Sequence, residues 1–298
     1  MPTPSTPAPG ISRRRCLLGL AGLALAPCLP ALAQAPRLVT LDWSIAQTLL
    51  ALDAPLLATA EIERYRHLVR VPTIPAGVLE LGLRQEPNLE LLAQLAPDRI
   101  LINSHQGTLR DRLQAIAPVE AYSFVSEQGQ PLRQAADTTR QIARAVAREA
   151  QAEACIESLK QQLQQARDVL HGLGDRPLYL ISLVDNRRAM VFGRHSLFHD
   201  VLEQVGVRNA WEGATNQWGY ATIGLEQLAA TPDAALLYFN SAAGLQDSLP
   251  DNPIWNRLGF VREQRLAKLP EVLFFGGLPA AAEFTRLLLE HLPETQHA

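Results

Sequence analysis

Leu89-Glu90-Leu91-Leu92-Ala93-Gln94-Leu95-Ala96-Pro97-Asp98 and Leu225-Glu226-Gln227-Leu228-Ala229-Ala230-Thr231-Pro232-Asp233 are two versions of one segment, differing by a single residue in length. Each opens with Leu-Glu, continues in good helix formers and stops at Pro-Asp, which breaks a helix and favours a turn. A short apolar run follows each, Arg99–Asn103 in the first copy and Ala234–Phe239 in the second. Helix, turn and strand therefore occur twice, far apart in the chain. Equivalent placement predicts two similar lobes, and a cleft between lobes is where small ligands commonly bind.

The stretch between the copies has another character. From Pro131 to Leu173, Ala, Gln, Glu and Arg dominate and no strand pattern occurs. Ala152, Ile156, Leu159, Leu163, Ala166, Leu170 and Leu173 recur in steps of three and four, one face of an amphipathic helix. Gly172, Gly174 and Pro177 end it. A helix from about Glu149 to His171 spans ~34 Å at 1.5 Å per residue, long enough to join two lobes. Outside it, Arg37–Leu41, Asp98–Asn103, Val119–Phe124, Leu178–Val184, Met190–Phe192, Ala234–Phe239 and Glu271–Phe275 read as strands alternating with helical patterns. The expected fold class is α/β: two α/β lobes with central, largely parallel sheets joined by one long linker helix. The expected division is a leader at 1–33, an N-terminal lobe at 34–147, the linker helix at 148–172 and a C-terminal lobe at 173–298.

The leader reads as an export address. Ser12-Arg13-Arg14-Arg15-Cys16-Leu17-Leu18 opens an apolar run to Leu32 that Gly and Pro interrupt, and Ala31-Leu32-Ala33 is a small-x-small cleavage pattern. The arginine pair resembles a twin-arginine signal. The run falls short of the ~20 apolar residues of a membrane span. Cleavage after Ala33 and a soluble periplasmic product are expected; an uncleaved anchor, or a lipid anchor at Cys28, is the alternative.

The leader holds three arginines and no acid, leaving 24 basic and 30 acidic residues, a formal charge of −6. That balance gives no footprint for nucleic acid. Past the leader Cys155 stands alone, with neither a disulfide partner nor zinc-ligand spacing. His195 and His199 have the i, i+4 spacing of paired metal ligands but no third ligand nearby in sequence, so no metal site is expected. No Gly-x-Ser-x-Gly elbow, His-Glu-x-x-His or phosphate loop occurs, so no catalytic residue is assigned and no enzyme is expected.

Several stretches carry a family resemblance. They are Gly82-Leu83-Arg84-Gln85-Glu86-Pro87-Asn88-Leu89-Glu90-Leu91-Leu92, Val191-Phe192-Gly193 with Ser196-Leu197-Phe198, Asn209-Ala210-Trp211, and Thr215-Asn216-Gln217-Trp218-Gly219. Together they resemble the periplasmic iron(III)-hydroxamate siderophore (ferrichrome) binding proteins, in the helical-linker class of ABC-importer substrate-binding proteins. The resemblance runs over nearly the whole chain. It implies capture of an iron(III)-siderophore and its delivery to an inner-membrane ABC permease dimer. It also implies a monomer, no cofactor, and iron held by the siderophore itself.

The resemblance also implies roles. Arg84 matches an arginine that hydrogen-bonds the hydroxamate oxygens, for which a guanidinium fork is chemically suited; a plain surface pair with Glu86 is the alternative. Trp43, Trp211 and Trp218 match positions on or near the cleft, where aromatic faces suit the apolar parts of a siderophore; core packing is the alternative, above all for Trp43. Asn216 would add an amide hydrogen bond. Gln106 stands where close relatives have a ligand-contacting tyrosine, and Phe275 where they have another. Leu68, Ile102 and Leu273 replace pocket tryptophans, and Tyr220 replaces a small residue. These departures leave open another chelate of the same fold class: a catecholate siderophore, haem or cobalamin. A ligand-free periplasmic scaffold is a further reading. Glu90 and Glu226 match glutamates that dock onto the permease, although an acid in a first helical turn is also favoured by the helix dipole, with Asn88 as a plausible N-cap.

Overall fold

The computed structural model describes residues 35–126, 128–171, 175–239 and 248–296. The leader and its cleavage pattern, and Leu173 of the helical stripe, lie outside these. Among the described residues no helix is long and apolar enough to cross a membrane.

The first lobe opens with β1 (Leu38–Thr40), whose three residues are all buried. Helix α1 (Trp43–Ala51) follows at once, because Asp42 caps it: its side chain accepts from the backbone N–H of Ser44 and Ile45. Next come β2 (Ala58–Thr59), α2 (Ile62–Leu68), β3 (Leu79–Glu80) and α3 (Leu89–Gln94), the first copy of the repeated segment. Asn88 caps α3, accepting from Leu91 N–H. After the Pro-Asp turn the chain enters β4 (Arg99–Asn103), then a 3₁₀ turn at Ser104–Leu109, α4 (Arg110–Gln114) and β5 (Val119–Tyr122). The sheet order is β3-β2-β1-β4-β5, parallel throughout.

Two helices carry the chain across. Helix α5 (Pro131–Val146) starts with proline in its first turn, where no donor is lost. It stops at Ala147, whose φ of 52° is left-handed. Helix α6 (Glu149–Leu170) is the long connection, and its buried residues are Ala152, Ile156, Leu159, Leu163, Ala166 and Leu170. That is the stripe read from the sequence. The stripe packs against α5, α7 (Leu197–Val205) and the C-terminal helix α9 (Leu278–Gln296).

The second lobe contains β6 (Leu178–Leu183), β7 (Arg188–Phe192), β8 (Tyr220–Gly224), β9 (Ala235–Phe239), the short helix α8 (Gly259–Arg262) and β10 (Leu266–Leu269). The order is β10-β9-β6-β7-β8. Here β10, β9 and β6 are parallel, whereas β7 runs antiparallel to both β6 and β8. Asp185 sets the β6–β7 turn by accepting from Arg187 and Arg188 N–H. The second copy of the repeat, Leu225–Ala230, is a 3₁₀ helix leading into β9. In the longer first copy Ala96, just ahead of the Pro-Asp turn, takes a left-handed φ of 42°.

One strand expectation is corrected. The edge strand is Leu266–Leu269, and Glu271–Phe275 is not a strand. Pro270 has no N–H to continue a ladder, so the chain leaves the sheet there. Phe274 then packs among Phe192, Phe198 and Phe239. Strands β2, β3 and β8 were not anticipated. The lobes share a continuous core running from Leu38, Ile45 and Leu101 through Ile156 and Leu163 to Leu180, Phe198 and Phe284.

Candidate functional site

The carboxyl ends of parallel strands, where a sheet's crevice opens, are the usual place for ligands in α/β folds. Here Asp42 and Ser44 follow β1, Asn103 ends β4, and Phe124 follows β5. All four line a cavity of about 290 Å³, whose opposite wall is His195, Trp218, Tyr220 and Phe275 from the second lobe. A second cavity of about 440 Å³ adjoins it and shares Asn103, His105, His195 and Trp218. The two lobes touch at its edge, where the Ser44 hydroxyl donates to the Phe275 carbonyl at 2.8 Å.

Arg84 lies on the first-lobe wall. Its partner is Glu61, not the Glu86 suggested by sequence proximity. One Glu61 oxygen accepts from the Arg84 backbone N–H and the other from Nε, each at 3.2 Å. The guanidinium carbon stands 4.0 Å from the Trp43 ring centre, a cation–π stack. Both terminal amino groups of Arg84 lack a hydrogen-bond partner among the described residues. The side chain is 30% exposed. Its stem is thus clamped and its fork left open to the cleft.

Trp43 belongs to both the core and the site. It is 3% exposed, its indole N–H donates to Ala60 O at 3.0 Å, and Tyr65 meets it edge-on at 6.1 Å. Trp218 is presented by a turn that Asn216 builds: the Asn216 side-chain oxygen accepts from Trp218 N–H and Tyr220 N–H. Asn216 also lines the second cavity. Trp218 packs against Phe275 at 5.3 Å and His105 at 5.9 Å, and Tyr220 lies 6.0 Å from Phe275. Phe275 is 38% exposed, uncovered apolar surface facing the cleft.

A scan of family models matches residues 38–273 to the model described as periplasmic binding protein. The chain belongs to that family. It is 34% identical over 288 residues to the iron(3+)-hydroxamate-binding protein FhuD of Escherichia coli K12, covering 94% of this chain and 96% of that one. It is 25% identical to the putative ABC transporter substrate-binding lipoprotein YhfQ of Bacillus subtilis, covering 76% and 73%. Among solved structures, the siderophore-binding protein FhuD of Vibrio cholerae, bound to Fe3+-Desferal, superposes with a TM-score of 0.83. The two share 26% identity over 88% of this chain and 99% of that one. The petrobactin-binding protein YclQ of Bacillus subtilis shares the fold, with a TM-score of 0.70 at 14% identity, covering 88% and 92%.

Two of the residues assigned to the ligand of this periplasmic binding protein do not reach its cavities. Gln106 is 1% exposed; its oxygen accepts from Asn103 N–H and its amide donates to Leu41 O. The oxygen caps the 3₁₀ turn and the amide ties that turn to the end of β1, while His105, one residue earlier, lies on the cavity wall. Trp211 is clamped elsewhere: a Cβ on Gly193 or Gly213 would fall 2.6 or 2.5 Å from its ring. It packs against the second-lobe core and lines neither cavity. Of the three aliphatic residues that the resemblance set in place of pocket tryptophans, Ile102 is fully buried, Leu68 packs against the cluster that contains Trp43, and Leu273 lines the cavity.

The two histidines do not share a helix face. His195 precedes α7 with φ at 72° and faces the cleft. His199 sits within α7 beside Glu203 and Asn209, and burial pushes its imidazole below the ordinary range. No group of three metal-ligating side chains occurs among the described residues. Glu90 and Glu226 both occupy the first turn of their helices, and both are exposed.

Proposed function

We infer that this chain is the periplasmic component of an ABC importer, capturing an iron(III)-siderophore of the hydroxamate type between its lobes and handing it to an inner-membrane permease. One observation carries the reading: Arg84 is locked by Glu61 and Trp43 while its two terminal amino groups open into an aromatic cleft. Hydroxamate oxygens around iron carry negative charge, and two parallel guanidinium donors match them. Trp218, Tyr220 and Phe275 supply apolar faces for the methylene arms. The relative in Escherichia coli, a hydroxamate binder by name and similar over nearly the whole chain, supports the same class.

The remaining parts of the reading follow. Iron is cargo, coordinated by the siderophore. The task is recognition, so no bond is made or broken. The core running through α6 into both lobes favours small closure movements. The leader would send the protein to the periplasm through the twin-arginine route, with cleavage after Ala33, to act there as a monomer. Exposed Glu90 and Glu226, at matched places in the repeat, would meet basic residues on a two-fold permease.

Titration with ferric hydroxamates, ferric catecholates, haem and cobalamin, followed by tryptophan fluorescence, tests the ligand class. Hydroxamates should bind most tightly; equal or better binding of a catecholate would sink the assignment. Reversing both Glu90 and Glu226 to Lys should abolish uptake while leaving binding intact, and normal uptake would refute the docking role.

A further inference from the structure

Glu61 lines neither cavity, yet its carboxylate, 13% exposed, is the group that ties Arg84 down. The residue takes a left-handed φ of 53° at the start of α2, and Glu80 holds it there. The Glu80 carboxylate accepts from the N–H of Glu61, Ile62 and Gly82, at 2.9, 2.7 and 2.8 Å. Ala60, one residue earlier, takes the indole N–H of Trp43. The pair Ala60-Glu61 therefore anchors both the arginine and the ring beneath it. Because Glu80 fixes the backbone, the Glu61 side chain is left to act on arginine alone.

Its carboxylate does two things. It aims the guanidinium, and it offsets the charge. Among the described residues that line the two cavities, Arg84 is the only arginine or lysine. Arg64 also approaches Glu61, at 3.5 Å, but it lines neither cavity and is 65% exposed, where water screens it. The cleft is left with an arginine that has two open donors and little net charge. Such a group hydrogen-bonds partly negative oxygens, but it balances little of a multiply charged anion drawn out of water. Iron(III) held by three hydroxamates is neutral overall; iron(III) held by three catecholates carries three negative charges.

We propose that Glu61 is a positioning residue that sets the charge selectivity of the cleft: it aims the donors of Arg84 while cancelling the charge that would attract an anionic chelate. The proposal rests on the hydroxamate reading above and assigns the discrimination within it to a residue behind the cavity wall.

The test uses two ferric chelates built on one tripodal scaffold, one with three hydroxamate arms and one with three catecholate arms. Calorimetry gives the affinity of each for the wild type, Glu61→Gln and Glu61→Asp. The wild type should prefer the hydroxamate. Glu61→Gln keeps an acceptor for Arg84 but loses the charge, and should shift the ratio towards the catecholate by ~10-fold or more. Glu61→Asp disturbs the contacts with Arg84 but keeps the charge, and should hold the wild-type ratio. Asp accepts a left-handed φ more readily than most residues, and thermal unfolding checks that both variants are folded. An unchanged ratio in Glu61→Gln overturns the proposal and leaves the hydroxamate reading standing. Equal shifts in the two variants overturn it as well, since the role would then be structural alone. A wild type that binds the catecholate as tightly as the hydroxamate sinks the hydroxamate reading, and this one with it.

Discussion

The two lobes agree in one half of their sheets and part in the other. Strands β1, β4 and β5 of the first correspond in order and direction to β6, β9 and β10 of the second, and a copy of the repeated segment leads into β4 and into β9. Beyond β1 the first sheet continues in parallel through β2 and β3; beyond β6 the second turns back into the antiparallel pair β7 and β8. The common half builds the core. Both halves reach the site, through the ends of β1, β4 and β5 on one side and the segment around β7 and β8 on the other, and each lobe contributes differently. The first supplies the charged groups, Asp42 and Arg84, each held by its own hydrogen bonds. The second supplies a looped wall from His195 to Tyr220, whose shape depends on tight backbone contacts and on Asn216.

The strongest way to break this comparison is to add one methyl group to each lobe. Gly219 has φ at +79°, and a Cβ there would lie 2.1 Å from the Ser196 backbone nitrogen. Gly82 has φ at +82°, but its nearest neighbours would be 3.9 Å away. Gly219→Ala should cost ~3 kcal/mol or more, from clash added to backbone strain, and Gly82→Ala only ~1 kcal/mol. Equal costs in chemical denaturation would mean that the second-lobe wall is not the more rigidly built.

Removing the charged reader of the first lobe comes next. Arg84→Ala should weaken ferric hydroxamate binding by ~30- to 100-fold, or ~2–3 kcal/mol for hydrogen bonds to a charged group, with little loss of stability. Unchanged affinity would end its role. A smaller loss is expected from the aromatic wall. Trp218→Ala should cost ~10-fold in affinity, about the ~0.5–1.5 kcal/mol of an aromatic contact plus lost area. Trp211→Ala should instead weaken the fold more than the binding, because its ring is clamped between Gly193 and Gly213; the opposite pattern would return Trp211 to the site.

The mildest test concerns the seam between lobes. Asp200 of α7 accepts from Leu132 N–H at the start of α5, and burial pushes its carboxyl up to about 6. A carboxyl raised above its unfolded value of ~3.9 favours the fold in its neutral form. That contribution is full below about pH 4 and is lost as pH rises through about 6. Asp200→Asn, neutral throughout, should therefore be more stable than wild type at pH 7 by ~1 kcal/mol after allowing for solvent screening, or ~2–4 °C in Tm. The difference should vanish near pH 4. A variant less stable at pH 7 would show that the charged cap stabilises the seam.

What the sequence determined by itself was whatever a short-range pattern records. Spacing of three and four gave the buried face of α6, Asn88 announced the α3 cap, and two copies of one segment announced two lobes. Each of these follows from backbone geometry within a few residues. The tertiary structure alone decided the partners. Arg84 is clamped by Glu61, a neighbour 23 positions away, where sequence proximity suggested Glu86. Gln106 turns inward because Leu41 O and Asn103 N–H are there to meet it, while His105, one residue earlier, lies on the wall. Asp42 caps α1 through bonds to residues two and three positions on, a local matter, but only the end of β1 at the cleft puts it on the cavity wall. Direction and burial of a side chain depend on what the rest of the chain packs beside it, and no local pattern carries that information.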